Sequence, residues 1–182
     1  MGEGSAVGIE GVRVFALTAH EDRRGAVSEI FRREWLPDGS EMVQANLSVS
    51  RAGVLRGLHF HRRQADYWCV LTGDAFVGLY DLRSGSPSEG VKAEVRLSAE
   101  LGRSSLYIPK GVAHGFLAET DLMLAYFVDR PFDGSDEFGV AWNDADVGIA
   151  WPVAEPVLSE RDRSNPPVAE VAVQAPAYEA DA

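Results

Sequence analysis

Three of the four histidines fall in two short stretches. His59 and His61 lie one residue apart in Arg56-Gly-Leu-His-Phe-His-Arg-Arg-Gln-Ala-Asp66, and His114 lies in Ile108-Pro-Lys-Gly-Val-Ala-His-Gly-Phe116. In a strand, side chains at i and i+2 share a face, so an extended run points both imidazoles into one space with Leu55 and Gly57. Two same-face histidines, the Asp66 carboxylate and His114 make a divalent-metal set. Metal-free acid–base chemistry suits them equally. Histidine takes a proton from carbon when a carboxylate fixes its tautomer and stabilises its cation. A tyrosine across the substrate can return a proton, and Tyr126 is the candidate. Plainer roles stand beside these: a hydrogen-bonded structural histidine, and a barrel tyrosine with a satisfied hydroxyl.

The elements that must hold these residues read as short strands. They fall at 12–18, 26–31, 42–50, 54–61, 66–71, 75–82, 91–97, 104–108, 115–118 and 122–128. His20-Glu-Asp-Arg-Arg-Gly25 reads as a polar turn and Pro37-Asp-Gly39 as turn chemistry. Thr72-Gly73-Asp74 is a hairpin signal. Strands this short and closely spaced predict an all-β barrel or sandwich. Ser159 is a candidate N-cap for one helical turn. The expected domain spans 1–167, with a C-terminal tail at 168–182, frayed from 175 onward. Trp142 and Trp151 read as packing residues, Tyr67 and Trp68 as core or pocket, and Arg32, Arg33, Arg161 and Arg163 as solvated surface.

Composition narrows the classes. With 17 Lys and Arg against 28 Asp and Glu, the net charge is -11, which disfavours nucleic-acid binding through phosphates. Arg56, Arg62 and Arg63 still form a local basic cluster suited to a small anion. A single cysteine, Cys69, excludes an intrachain disulfide and fits a reducing cytoplasm. No signal peptide is read at the N-terminus, and no apolar run reaches the ~18 residues of a membrane helix.

The histidine spacing resembles the cupin pattern. His59-x-His61 is followed by Asp66, where the pattern has glutamate, and by Gly73; Pro109-x-Gly111-x-x-His114 matches the second motif. The resemblance implies a cupin-type jelly-roll β-barrel with short peripheral helices. More specifically, residues 12–167 resemble the dTDP-4-dehydrorhamnose 3,5-epimerase family of deoxysugar-nucleotide enzymes. The motifs are Asp22-Arg-Arg24-Gly25 with Glu29, Gln44-x-Asn46, Gly53-Val-Leu-Arg-Gly-Leu-His59, the His114 stretch, Gly139-Val-Ala-Trp-Asn-Asp144 and Leu158-Ser-Glu-Arg-Asp162.

That resemblance implies a homodimer that needs no cofactor and epimerises a dTDP-4-keto-6-deoxyhexose at C3, C5 or both. His59 is then the base, Asp162 its orienting carboxylate and Tyr126 the acid. Arg24, Glu29, Gln44, Asn46 and Arg56 bind the nucleotide, His114 lines the sugar site, and Phe132 replaces a tyrosine near the nucleotide base. Simple alternation puts Arg56 and His59 on opposite faces, so the strand is expected to bulge or turn near Gly57.

Two positions depart from the family. His61 stands where glutamine is usual. Asp66 replaces a lysine expected to stabilise the enolate oxygen, and a carboxylate there would raise the barrier. Asp66 either turns away, leaving His114 or an arginine to hold the charge, or pairs with Arg62, Arg63 or His61, or joins a metal site that replaces the lysine. Single epimerisation is as open as double. Two other classes remain: a metal-dependent cupin isomerase or oxygenase using His59, His61, Asp66 and His114, and a non-catalytic sugar-nucleotide-binding protein.

Overall fold

The structure, a computed structural model, describes residues 4–37, 40–100 and 103–180. In chain order the strands are β1 (Ser5–Ala6), β2 (Arg13–Ala16), β3 (Ala19–Asp22), β4 (Gly25–Ser28), β5 (Gln44–Ser50), β6 (Leu55–Phe60) and β7 (Asp66–Thr72). Then follow β8 (Asp74–Asp81), β9 (Lys92–Ser98), β10 (Ser104–Ile108), β11 (Val112–Ala118), β12 (Leu122–Val128) and β13 (Phe138–Gly139). Two short helices, α1 (Glu160–Ser164) and α2 (Val168–Val171), lie near the C-terminus.

Two antiparallel sheets form a jelly-roll sandwich. One runs β1-β2-β10-β7-β12-β5 and the other β13-β6-β11-β8-β9; β3 and β4 pair only with each other. Alternate residues from both sheets meet between them. Trp68, Val70, Leu106, Leu122 and Leu124 pack against Val77, Leu79, Leu97, Val112 and Phe116. Removing this apolar area from water supplies most of the drive to fold.

The outer faces are covered in sequence-specific ways. Phe31, Trp35 and Leu36 lie over Phe15, Tyr67 and Tyr107 of the six-stranded sheet. Val140, Val147, Val168 and Val171 cover Leu58, Phe60 and Ala113 on the five-stranded one. Trp142 and Trp151 pack beside Leu55 and Phe76, and the Trp151 indole donates to the Trp142 carbonyl at 2.7 Å.

Several expectations are corrected. The segment β7–β8 is not a hairpin, because β7 belongs to one sheet and β8 to the other. Gly73, at φ +80°, turns the chain between them where a Cβ would stand 2.2 Å from the Asp121 carbonyl oxygen. Residues 168–180 are not a loose tail, since the apolar outer face of the five-stranded sheet draws Val168 and Val171 into its cover. The Tyr178 N–H then bonds the Ser84 carbonyl, and Lys110 pairs with Glu179. The polar turn around His20 is shorter than expected, because Ala19–Asp22 is strand β3, paired with β4. Asp38 and Gly39 of the expected turn lie outside the described residues, as do Asp181 and Ala182 of the expected tail. The N-cap is present: the Ser159 hydroxyl accepts from the Asp162 N–H at 3.0 Å.

Candidate active site

Toward one end of the sandwich, strands from both sheets enclose a hollow of about 250 Å³. Arg56 and His59 reach it from β6, His61 and Gln64 from the following loop, and Asp66 and Trp68 from β7. His114 and Phe116 come from β11, Ser48 from β5, and Leu124 and Tyr126 from β12. Phe132 and Glu137 close the rim from the loop before β13.

Arg56 and His59 share this hollow because β6 is irregular at Gly57. The register against β11 pairs His114 with His59 but Phe116 with Arg56, so the pairing shifts between them. Gly57 has φ +123°, and a Cβ there would stand 2.6 Å from the Gly115 Cα. Only glycine fits that approach and that backbone region. The Gly57–Leu58 peptide is cis. The same irregularity corrects one expectation: Leu55 turns into the core with Phe76 and Leu117 rather than into the hollow.

Helix α1 delivers Asp162 to His59, one of the residues lining this hollow. His59 Nε2 lies 2.6 Å from Asp162 Oδ1. Burial raises the Asp162 pKa, but hydrogen bonds from His59, Ser159 and the Gly57 backbone outweigh it and hold the carboxyl below its ordinary value. An ionised carboxylate only accepts, so Nε2 carries a proton, and in the neutral form of the ring Nδ1 is the nitrogen with the lone pair. Across the hollow, on the other sheet, burial and the nearby Asp66 and Glu137 carboxylates push the Tyr126 phenol up despite Arg56. Tyr126 therefore keeps its proton at neutral pH.

His61, Asp66 and His114 converge separately. One donor atom of each lies within 4.8 Å of the other two, and all three residues are buried. His59 is not in this group, which corrects the four-residue metal set to three. Burial pushes His114 down to about 4, so its ring is neutral. Asp66 accepts from Gln64 Nε2 at 2.8 Å and from the Trp68 indole at 3.0 Å. It does not pair with Arg62 or Arg63, whose backbone N–H groups bind Asp136 instead. The expected basic cluster is split: Arg56 lines this hollow, while Arg62 and Arg63 line another with Asp136.

A smaller hollow of about 150 Å³ adjoins the first and shares Gln64, Tyr126, Phe132 and Glu137 with it. Gln44 and Asn46 line it from the inward face of β5, with Gln44 Nε2 donating to Asn46 Oδ1 at 2.9 Å. Phe132 is 71% exposed, an unpaired aromatic face at the rim. Arg24 and Glu29 are not among the residues lining either hollow. They belong to the exposed β3–β4 hairpin and its exit, where they pair with Asp22 and Arg32. Gln64, Glu137 and Trp68's bond to Asp66 were not foreseen as site features. The first two sit in loops, where no periodicity marks an inward residue.

Fold and site define a jelly-roll protein whose small pocket is lined by a carboxylate-bonded histidine from one sheet and a tyrosine from the other. A profile of the family described as dTDP-4-dehydrorhamnose 3,5-epimerase matches residues 6–170. A dTDP-4-dehydrorhamnose 3,5-epimerase of Streptomyces griseus is 38% identical over 172 residues, 90% of this chain and 85% of that one. NovW, a 4-keto-6-deoxy sugar epimerase from the novobiocin gene cluster of Streptomyces spheroides, superposes with a TM-score of 0.90 at 34% identity. That match covers 98% of this chain and 94% of the other. ChmJ, a 3'-monoepimerase from Streptomyces bikiniensis solved with dTDP-quinovose, gives 0.86 at 34% identity, covering 93% and 91%. The chain belongs to the dTDP-4-dehydrorhamnose 3,5-epimerase family. It is an isomerase of deoxysugar biosynthesis with a cupin-like jelly-roll fold.

Proposed function

We propose that this chain epimerises a dTDP-4-keto-6-deoxyhexose with His59 as base and Tyr126 as acid. The observation that carries the reading is the His59–Asp162 contact of 2.6 Å, with Tyr126 facing it from the opposite sheet. The 4-ketone acidifies the C–H bonds at C3 and C5. His59 Nδ1 takes the proton, and the C–H electron pair passes to the ketone oxygen as an enolate. Tyr126 returns a proton to carbon from the other face. The resulting imidazolium and phenolate reset by proton exchange with water. Asp162 positions the ring and stabilises its cation. Double epimerisation requires both carbons to reach His59 in turn; the 3'-monoepimerase similarity keeps single epimerisation at C3 as a second reading.

The sugar suits the 250 Å³ hollow and the thymidine suits the adjoining groove. Gln44 and Asn46 offer amides to the base, Phe132 a stacking face, and Arg56 a fork for the pyrophosphate. Arg24 and Glu29 reach that ligand only from a second copy. Three features among the described residues support such a homodimer: the β3–β4 hairpin has no further strand partner there, β5 is an edge strand, and β5 exposes Leu47 and Val49. No described helix is long and apolar enough to cross a membrane. The single buried Cys69 fits the cytoplasmic location we assign.

The test is solvent deuterium uptake. The protein is incubated with dTDP-4-keto-6-deoxyglucose in heavy water, and the sugar is followed by mass spectrometry and proton NMR. Wild type incorporates deuterium at C3, C5 or both, and His59→Ala abolishes uptake. Tyr126→Phe retains exchange but yields little inverted product. Wild type without uptake above background would sink the reading.

A further inference from the structure

We propose that His61, Asp66 and His114 form a binding site for one divalent first-row transition-metal ion, set in the pocket wall beside the base rather than on it. Two imidazoles and one carboxylate are a common donor set for such ions, with open positions left for water or substrate. Here the three residues are 4–5% exposed and still line the hollow, so the site is walled by protein and open on one side.

The tautomers are already set for coordination. His61 Nδ1 donates to the Asp136 carbonyl at 2.8 Å, and His114 Nδ1 donates to the Val112 carbonyl at 2.9 Å. Each ring in its neutral form is left with its lone pair on Nε2. Backbone carbonyls orienting the far nitrogen are the usual support of a metal-binding histidine. His114 Nε2 lies 3.9 Å from Asp66 Oδ2, and the His61 and His114 ring centroids are 5.5 Å apart.

Asp66 strengthens the case. A buried carboxylate ordinarily finds a cation or a metal. Among the described residues no arginine or lysine pairs with Asp66; its bonds come from neutral Gln64 and Trp68, which hold it in place. Two neutral imidazoles and one carboxylate leave a bound dication with a net charge of +1. Ligand bonds of ~2.1 Å place neighbouring donors ~3–3.5 Å apart, so the side chains close by about an ångström around the ion. Such an ion occupies the wall where the family's lysine would stand and acts as a Lewis acid toward the enolate oxygen. That role rests on the epimerase reading; the binding itself does not.

The test measures binding without substrate. Protein stripped with a chelator and dialysed is titrated with Zn²⁺ by calorimetry and with Co²⁺ by visible absorption, and its Zn²⁺ content is measured after gel filtration. Wild type binds one ion per chain, and Co²⁺ develops ligand-field bands in the visible. His61→Gln and Asp66→Asn each weaken binding by at least the ~10–100-fold that losing only an outer-shell partner costs. His20→Ala, which removes the remaining histidine on the exposed hairpin, leaves binding unchanged. Circular dichroism checks that each variant is folded; if Asp66→Asn fails to fold, His61→Gln carries the comparison. No saturable binding, or binding undiminished by His61→Gln, overturns the site. Either result leaves the deuterium measurement untouched, so the two readings fail separately.

Discussion

In the proposed mechanism Asp162 acts through His59 rather than on substrate. Its carboxylate accepts from Nε2 and is kept ionised by that bond and by the Ser159 hydroxyl. Asp162→Asn preserves an acceptor for Nε2 but removes the charge that stabilises the imidazolium. The expected result is a fall in kcat of ~10²-fold with KM little changed, since general-base catalysis is worth about that much. Steady-state kinetics checks this. A comparable rise in KM would instead mean that Asp162 shapes the pocket. At the same scale, the family resemblance named His59, Asp162 and Tyr126, and the placing of Asp162 against His59, with His59 and Tyr126 around one pocket, emerges only from folding. The contact between His59 and Asp162 spans 103 positions.

At the scale of elements, β6 decides whether Arg56 and His59 can serve one site. Alternation alone sends them apart, and the conflict was readable because period two is strict in a strand. Glycine at 57 marked where the period breaks, and the bulge against β11 lies there. Gly57→Ala must place a methyl 2.6 Å from the Gly115 Cα and 2.8 Å from the His114 carbonyl oxygen, at φ +123°. Backbone strain and overpacking together cost about 2–4 kcal/mol. In a chain of this size that lowers Tm by ~5–15 °C. Gly53, at φ +83° with nothing within 4 Å of an added Cβ, is the control. Gly53→Ala carries only the conformational penalty of about 1–2 kcal/mol. Thermal unfolding compares the two, and equal shifts would remove the steric argument. The hairpin expected at Gly73 and not formed belongs to this scale too. Thr72-Gly73-Asp74 has turn chemistry, but a turn between sheets uses the same residues as a turn within one.

At the scale of the whole molecule, the active site of one chain lacks two of the residues the family motifs point to. Arg24 and Glu29 stand on and just after a hairpin that, among the described residues, pairs with no further strand. In the proposed homodimer each hairpin serves the other subunit. Mixing and re-equilibrating Arg24→Ala with His59→Ala then regenerates intact sites. Half of the dimers are mixed and one of their two sites is complete, so activity returns to about a quarter of wild type. Activity that stays at the mean of the two separate variants would assign Arg24 to its own chain. Size-exclusion chromatography with light scattering measures the oligomer in the same samples.

The sequence by itself determined the strand-rich class, most strand positions, the candidate residues and the family. These rest on local periodicity, turn chemistry and short motifs, all written in neighbouring positions. Only the tertiary structure decided which residues share a space. It put His59, His61, Asp66 and His114 around one hollow but left His59 outside the donor cluster of the other three, gave Asp66 neutral partners instead of arginines, and used residues 168–180 as cover for a sheet. Those outcomes depend on register, bulges and the burial of apolar faces between segments far apart in the chain. Neither alternation nor composition encodes such distances, because they are set by how two sheets close over one core.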